Sequence, residues 1–471
     1  MKKPNVVLFI TDGHRADCLG CYGNPILQTP NIDAFAAEGA LCRRSYCSHT
    51  VCMPTRSSIF TSRYPHIHGV WANGIPLSTD EITLPQVLGE NGYVTCASGK
   101  IHFEPQQAYD RHCPIMKDQT PYYGFHEVHL SENKQGLEYI RFVESTFPDL
   151  LDAAKSRSPS LPEEAHELHW IASQAIDFIE RHASGQRPFF LSCSCHELVP
   201  PCHPPAEFAG MYSPEDMPPP RCKDGELDTK PPYQRRCYEG YLKKKRHPNE
   251  EQLRTYLASY YDQTRFIDKQ FGRVIAALKD NGVWDNTIVL FTADHGLVLN
   301  DHYLWRHGPF LYEQVINVPL IWRVPGLTTQ GAVTEALVES VDIMPTILDA
   351  VGVEPPLGIQ GRSIRPLLGG DASAAGRDSV LVQDRESPEL LARDIDPTGF
   401  SLVGVRTEDW KLIHYPGESH GELYDLKNDP DEFANLWADA GYVNQRMHME
   451  HLLFERLLAA RDPLPERVYH W

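Results

Sequence analysis

The sequence predicts an α/β fold: a central, mostly parallel sheet flanked by helices, followed by a smaller C-terminal α+β part. Apolar, β-branched runs alternate along the chain with segments of helical periodicity, the pattern of strands covered on both faces. The chain's 471 residues exceed what one simple core needs. After Pro366-Leu367-Leu368-Gly369-Gly370 the composition turns to Gly, Ala, Asp and Ser, which sets a catalytic part, 1–370, apart from a subdomain, 371–471.

Four apolar runs are read as strands: Val6 to Ile10, Tyr93 to Ala97, Phe189 to Cys193 and Thr287 to Phe291. Each is followed shortly by polar residues. Ligands of open parallel sheets bind beyond the carboxyl ends of strands, so these followers are candidates for one shared site. Thr29-Pro30-Asn31 starts a helix over Ile32 to Glu38 that stops at Gly39. The longest helix follows Pro248-Asn249 and ends at Asn281-Gly282, with Leu257, Tyr260, Tyr261, Ile267, Phe271, Val274, Ile275 and Leu278 as its core-facing stripe. Between Pro200 and Pro248 a Pro-rich, charged stretch containing Lys243-Lys244-Lys245-Arg246 is expected to be a surface insertion. Beyond residue 370 the runs Ser379 to Gln383, Ser401 to Arg406 and Trp410 to Tyr415 are expected as a small antiparallel sheet, followed by a helical tail.

Hydrophobic residues make up 41% and charged residues 23%, and no apolar run approaches the ~18 residues of a membrane span. The first apolar run is too short, and too soon interrupted by Asp12, to be the core of a signal peptide, so a cytoplasmic location is expected. The 12 cysteines are then expected to be mostly reduced, and Cys193, Cys195 and Cys202 lack the paired spacing of a zinc site. A net charge of -19 disfavours nucleic acid and acidic membranes as partners. Any anionic substrate must be held by specific cations.

Asp12 lies past the first run, and Asp294-His295 past the Thr287 to Phe291 run. Carboxylates and an imidazole offered from separate strand ends form a metal-site pattern; the alternative is that each Asp caps a helix. Cys52-Met53-Pro54-Thr55-Arg56 leads into a predicted helix with Pro54 in its first turn. Cys52 then faces a helix N-terminus, which favours anions and lowers a thiol pKa, so it is a candidate nucleophile; the alternative is a buried, inert cysteine.

Together, Cys52-x-Pro54-x-Arg56, Asp12, Leu19-Gly20-Cys21-Tyr22-Gly23, Gly99-Lys100-Ile101-His102 and Ala293-Asp294-His295-Gly296 resemble the sulfatase family of the alkaline-phosphatase superfamily. Val341-Asp342-Ile343-Met344-Pro345-Thr346-Ile347-Leu348 and Glu422-Leu423-Tyr424-Asp425-Leu426 resemble that family's later signatures. The resemblance implies an alkaline-phosphatase-like fold and oxidation of Cys52 to Cα-formylglycine by a formylglycine-generating enzyme. It implies that one hydroxyl of the hydrated aldehyde attacks sulfur and the other later expels sulfate. Asp12, Cys52, Asp294 and His295 are implied ligands of one divalent cation, calcium by resemblance. Arg56 would stand beside the nucleophile, Lys100 on the substrate, His102 near the diol and His203 near the leaving oxygen. Asn73 matches a position that donates to the sulfate, although it could equally be a turn residue before Gly74. His203 could likewise be a plain loop histidine.

Two departures from the family pattern stand out. Gly13 follows Asp12 where many sulfatases carry a second aspartate, which brings manganese or magnesium into range. His307, in Trp305-Arg306-His307-Gly308, stands where the family commonly has lysine, so either His307 acts as the general acid or Arg306 supplies the cation. The substrate is expected to be a small-molecule or saccharide sulfate ester. The rival reading is a phosphonate monoester or phosphate diester hydrolase, which Gly13 favours and Lys100 with His102 disfavours. The insertions Pro105 to Pro121, Glu144 to Glu163 and Pro200 to Pro248 are the candidate walls of the substrate pocket, and the tail ending in Val468-Tyr469-His470-Trp471 could pack on a second copy of the chain.

Overall fold

A run rich in β-branched and aromatic residues makes β1 (Asn5–Thr11) a fully buried strand, and its neighbours are strands of the same kind. β1 pairs in parallel with β6 (Phe189–Ser194) and β7 (Thr287–Ala293). The computed structural model describes residues 3–105, 121–132, 137–156, 161–199, 201–243, 248–371, 374–387, 390–391 and 395–464. Lys244-Lys245-Arg246, the terminal Val468 to Trp471, and parts of the insertions expected to shape the pocket lie outside these residues.

The remaining strands are β2 (Ala40–Cys42), β3 (Ser45–Tyr46), β4 (Val94–Gly99), β5 (Glu127–Leu130), β8 (Leu320–Arg323), β9 (Ala332–Thr334) and β10 (Val338–Glu339), with four more towards the C-terminus. An eight-stranded sheet runs in the order β5-β4-β6-β1-β7-β8-β2-β9, and β8 is the strand antiparallel to its neighbours. β3 and β10 form a separate parallel pair. Alternation along β1 divides the core: Val7 and Phe9 face Ile32, Ile171 and Phe271, while Val6, Leu8 and Ile10 face Phe60, Leu84 and Ile347. Helices Pro30–Glu38, Glu167–Ala183 and Glu250–Asp280 therefore cover one face, and Cys52–Thr61, Leu84–Glu90 and Ile343–Ala350 cover the other.

β11 (Val380–Arg385), β12 (Ser401–Arg406), β13 (Trp410–His414) and β14 (Gly421–Asp425) form an antiparallel sheet backed by the helix Val443–Ala459 through Met449 and Leu453. This sheet shares its core with the first part of the chain. The stretch expected to be a surface insertion is partly interior: helix Pro232–Lys243 buries Tyr233, Gln234 and Cys237. The reason is polar pairing that composition does not reveal. Gln234 donates to Glu422 at 3.2 Å, and Lys230, also buried, donates to the Tyr424 hydroxyl at 2.8 Å. Among the described residues the cysteines are free thiols, and no helix is long and apolar enough to cross a membrane.

Candidate active site

Strand order places the candidate residues along one edge of the sheet, since Lys100 follows β4, Asp12 follows β1, and Asp294-His295 follow β7. The helix Cys52–Thr61 points its first residue, Cys52, at this edge. Val51 enters the helix in extended conformation, and Asn73 Oδ1 accepts from the Met53 N–H at 2.9 Å, satisfying one donor that the first turn leaves unpaired. Asn73 is thus more than a plain turn residue. Its amide nitrogen is left to donate elsewhere.

Asp12, Cys52, Asp294 and His295 each offer one ligand atom, and these atoms lie within 4.8 Å of one another. Cys52 Sγ is 3.3 Å from His295 Nε2 and 3.7 Å from Asp12 Oδ1. His295 Nδ1 hydrogen-bonds the Gly296 carbonyl at 3.0 Å, which places the proton there and leaves the Nε2 lone pair facing the centre. Two carboxylates and an outward-proton imidazole fit a hard or borderline divalent cation. Gly13, which stands where many sulfatases carry a second aspartate, donates its N–H to Asp294 Oδ1 at 3.2 Å. A Cβ at Gly13 would lie 3.3 Å from both Leu297 and Val199, at a φ of +66° that disfavours any side chain.

Arg56 lies one helical turn from Cys52 and is wholly buried, with its donors committed. Nε donates to Asp294 Oδ2 at 2.8 Å, Nη1 to Ser194 Oγ at 2.7 Å and to the Lys100 carbonyl at 2.9 Å, and Nη2 lies 3.5 Å from Asp12 Oδ2. It therefore braces the two carboxylates from behind rather than meeting the substrate. Burial alone would raise the Asp294 carboxyl, but Arg56 foremost, together with Lys100, outweighs it and holds it well below the usual range. Lys100 Nζ donates to Asp12 Oδ2. One expectation fails here, because the Cys52 thiol is pushed up, not down: burial and the Asp12 carboxylate outweigh the cations beside it.

His102 is held by its backbone, as the Ile101 and His102 N–H groups both donate to Glu132 Oε1, at 3.1 and 3.0 Å. Its Nδ1 is buried without a hydrogen-bond partner among the described residues. Burial, then Lys100 and Arg56, drive its pKa well below the ordinary value, so the ring is neutral. The His307 ring is buried against the His295 ring, with centroids 4.6 Å apart. Gly308 admits no side chain there, since a Cβ would meet Thr50 Oγ1 at 2.5 Å. Trp305, which precedes Arg306, packs its ring 4.7 Å from that of Tyr256, whose hydroxyl is 3.7 Å from Cys202 Sγ. His203 lines a cavity of about 30 Å³ with Glu167, Glu197 and Gln263, and its carbonyl accepts from His166 Nε2 at 3.1 Å.

Two nearby residues escaped the sequence reading. His196 lies two residues past β6, which runs between the strands that carry Lys100 and Asp12, and its buried Nε2 lies 3.5 Å from Glu167 Oε2 and 3.8 Å from Glu197 Oε1. The strand-end rule applied to the Phe189 to Cys193 run would have found it. Asp384, on β11, accepts from Thr50 Oγ1, and no local pattern announces a contact from the second sheet.

The family pattern described as Sulfatase matches residues 4–353, and that described as N-sulphoglucosamine sulphohydrolase, C-terminal, matches residues 301–458. The chain is 29% identical over 490 residues to an arylsulfatase of Clostridium perfringens, covering 97% of this chain and 94% of the relative. A phosphonate monoester hydrolase from Silicibacter pomeroyi superposes with a TM-score of 0.87 at 26% identity, covering 99% of this chain and 98% of the other. A protein solved in complex with its substrate D-glucosamine-2-N,6-O-disulfate superposes with a TM-score of 0.77 at 25% identity, covering 99% and 100%.

Proposed function

We propose, for a chain that belongs to the sulfatase family of the alkaline-phosphatase superfamily and is a sulfuric ester hydrolase, that it cleaves a saccharide sulfate monoester with a nucleophile made from Cys52. The observation that carries this reading is the convergence of Cys52 with Asp12, Asp294 and His295 at the start of a helix. Oxidised to formylglycine by a formylglycine-generating enzyme, residue 52 supplies a hydrated aldehyde as nucleophile. A divalent cation held by Asp12, Asp294, His295 and the modified residue 52 supplies Lewis acidity to the sulfate oxygens and the nucleophile; calcium follows from the family, while Gly13 and the nitrogen ligand His295 bring manganese or magnesium into range.

The chain's own groups divide the remaining work. Arg56 holds Asp12 and Asp294 in place and keeps Asp294 ionised. Lys100, now on Asp12, and the Asn73 amide direct positive charge and a donor at the sulfate. Neutral His102 can accept a proton beside the nucleophile. His307, packed on His295, protonates the leaving oxygen, and His203 is the alternative acid.

A second reading, phosphonate monoester hydrolysis, is favoured by Gly13 and by the likeness to a phosphonate monoester hydrolase. A substrate panel separates the two. The expected outcome is turnover of sulfated sugars and an aryl sulfate that exceeds turnover of a phosphonate ester, is lost on chelation, and returns with added metal. A preference for the phosphonate ester contradicts the sulfatase reading.

A further inference from the structure

The sulfatase reading accounts for the sulfate end of the substrate but not for what holds its alcohol. β11 reaches from the second sheet to the turn that precedes the nucleophile. The Gln383 N–H donates to the Ser48 carbonyl at 3.0 Å, and Thr50 Oγ1 donates to Asp384 Oδ2. On the other side of that turn, His49 Nε2 donates to the Trp71 carbonyl at 3.1 Å, and Asn73 takes the Met53 N–H. Arg385 directly follows Asp384 on that strand, and Trp71 is the acceptor of the His49 ring, so both residues lie beside the turn that leads to residue 52. They also meet each other, with the guanidinium 4.6 Å from the centre of the indole ring.

The charges around the site give this pair a meaning. Arg56 is buried with its donors committed, and Lys100 is engaged on Asp12. The molecule as a whole carries a net charge of -19 and repels a multiply charged anion. Arg385 is different, since its side chain is 55% exposed and its ion pair with Glu386 is loose, at 3.7 Å. Stacking on an indole fixes a guanidinium while leaving its N–H edge open, so less freedom is lost when an anion binds. An arginine held this way suits a planar carboxylate or a sulfate.

Building on the sulfatase reading, we propose that Arg385, braced by Trp71, is a specificity-determining residue that binds a second anionic group on the saccharide whose sulfate ester is cleaved. The group is a carboxylate or a further sulfate. It binds beside the turn that precedes residue 52, next to the second sheet, so preference among sulfated sugars is set partly from beyond residue 370.

The test compares native holoenzyme with Arg385→Ala and Arg385→Lys on four substrates: a disulfated glucosamine, a sulfated sugar bearing a carboxylate, a singly sulfated glucosamine and nitrophenyl sulfate. In Arg385→Ala, KM for at least one doubly charged sugar should rise about 10- to 100-fold with kcat little changed, while the two singly charged substrates shift by about twofold or less. Arg385→Lys should recover part of the loss, and whichever doubly charged sugar is affected identifies the anion. Equal losses on all four substrates, or no loss on either doubly charged sugar, would overturn the proposal. Calorimetric binding of the same sugars to metal-loaded Cys52→Ala protein keeps this separate from the parent reading. Arg385-dependent binding without turnover of any sulfate would sink the sulfatase reading alone, and turnover of sulfates indifferent to Arg385 would sink the subsite alone.

Discussion

At the scale of single residues, the convergence of Asp12, Cys52, Asp294 and His295 was legible because each follows a strand or opens a helix, positions fixed by strand order rather than by long-range packing. What the sequence could not supply was burial. Helix-start chemistry alone lowers a thiol pKa, yet complete enclosure beside Asp12 reverses the sign at Cys52. The same enclosure makes His307 a testable acid, since it lies in ring contact with His295, itself 3.3 Å from Cys52 Sγ. A phenolate leaves without a proton, whereas a sugar alkoxide does not. His307→Ala should therefore cost about 10²-fold or more on a sugar sulfate and much less on nitrophenyl sulfate, as measured by kcat/KM. Equal losses would assign His307 to binding or charge stabilisation and return the acid role to His203.

At the scale of elements, the strands and the longest helix followed from periodicity and end signals. Helix Glu250–Asp280 begins with a capping box in which Asn249 Oδ1 accepts from Gln252 N at 2.8 Å and Gln252 Oε1 accepts from Asn249 N at 2.9 Å. Asn249→Ala should lower stability by about 1 kcal/mol in urea titrations with kcat/KM unchanged, because the cap lies at the surface. An unchanged midpoint would show that tertiary packing alone sets this helix start. The elements that escaped are those fixed by partners far away in sequence. Helix Pro232–Lys243 is interior because Gln234 finds Glu422, and β14 was seen as a motif rather than as the strand that pairs with β13. Periodicity within a short window carries no information about such pairings.

At the scale of the whole molecule, the packing between helix Cys52–Thr61 and its neighbours encloses histidines that must stay neutral. In His68, Nδ1 accepts from the Val70 N–H at 3.1 Å and Nε2 donates to Ser58 Oγ at 3.0 Å; in His49, Nδ1 accepts from the Val51 N–H at 3.2 Å and Nε2 donates to the Trp71 carbonyl. Burial pushes both down to about 3 from an ordinary 6.5. Between those values the unfolded chain binds more protons than the folded one, so stability is full above pH 6.5 and falls as the pH drops below it. The slope can reach about 1.4 kcal/mol per pH unit for each histidine. Unfolding titrations at pH 7 and pH 5 should show this loss, and His68→Gln should reduce it; a pH-independent midpoint over that range would mean that the histidines titrate normally.

The helix Cys52–Thr61 places residue 52 against Asp12, Asp294 and His295. Mass spectrometry of the peptide containing residue 52, on enzyme purified in active form from its native host, tests the central claim most directly. The account predicts that the peptide carries the aldehyde, or its hydrate, in place of the thiol, in proportion to specific activity. Fully active enzyme whose residue 52 is entirely unmodified cysteine would contradict it.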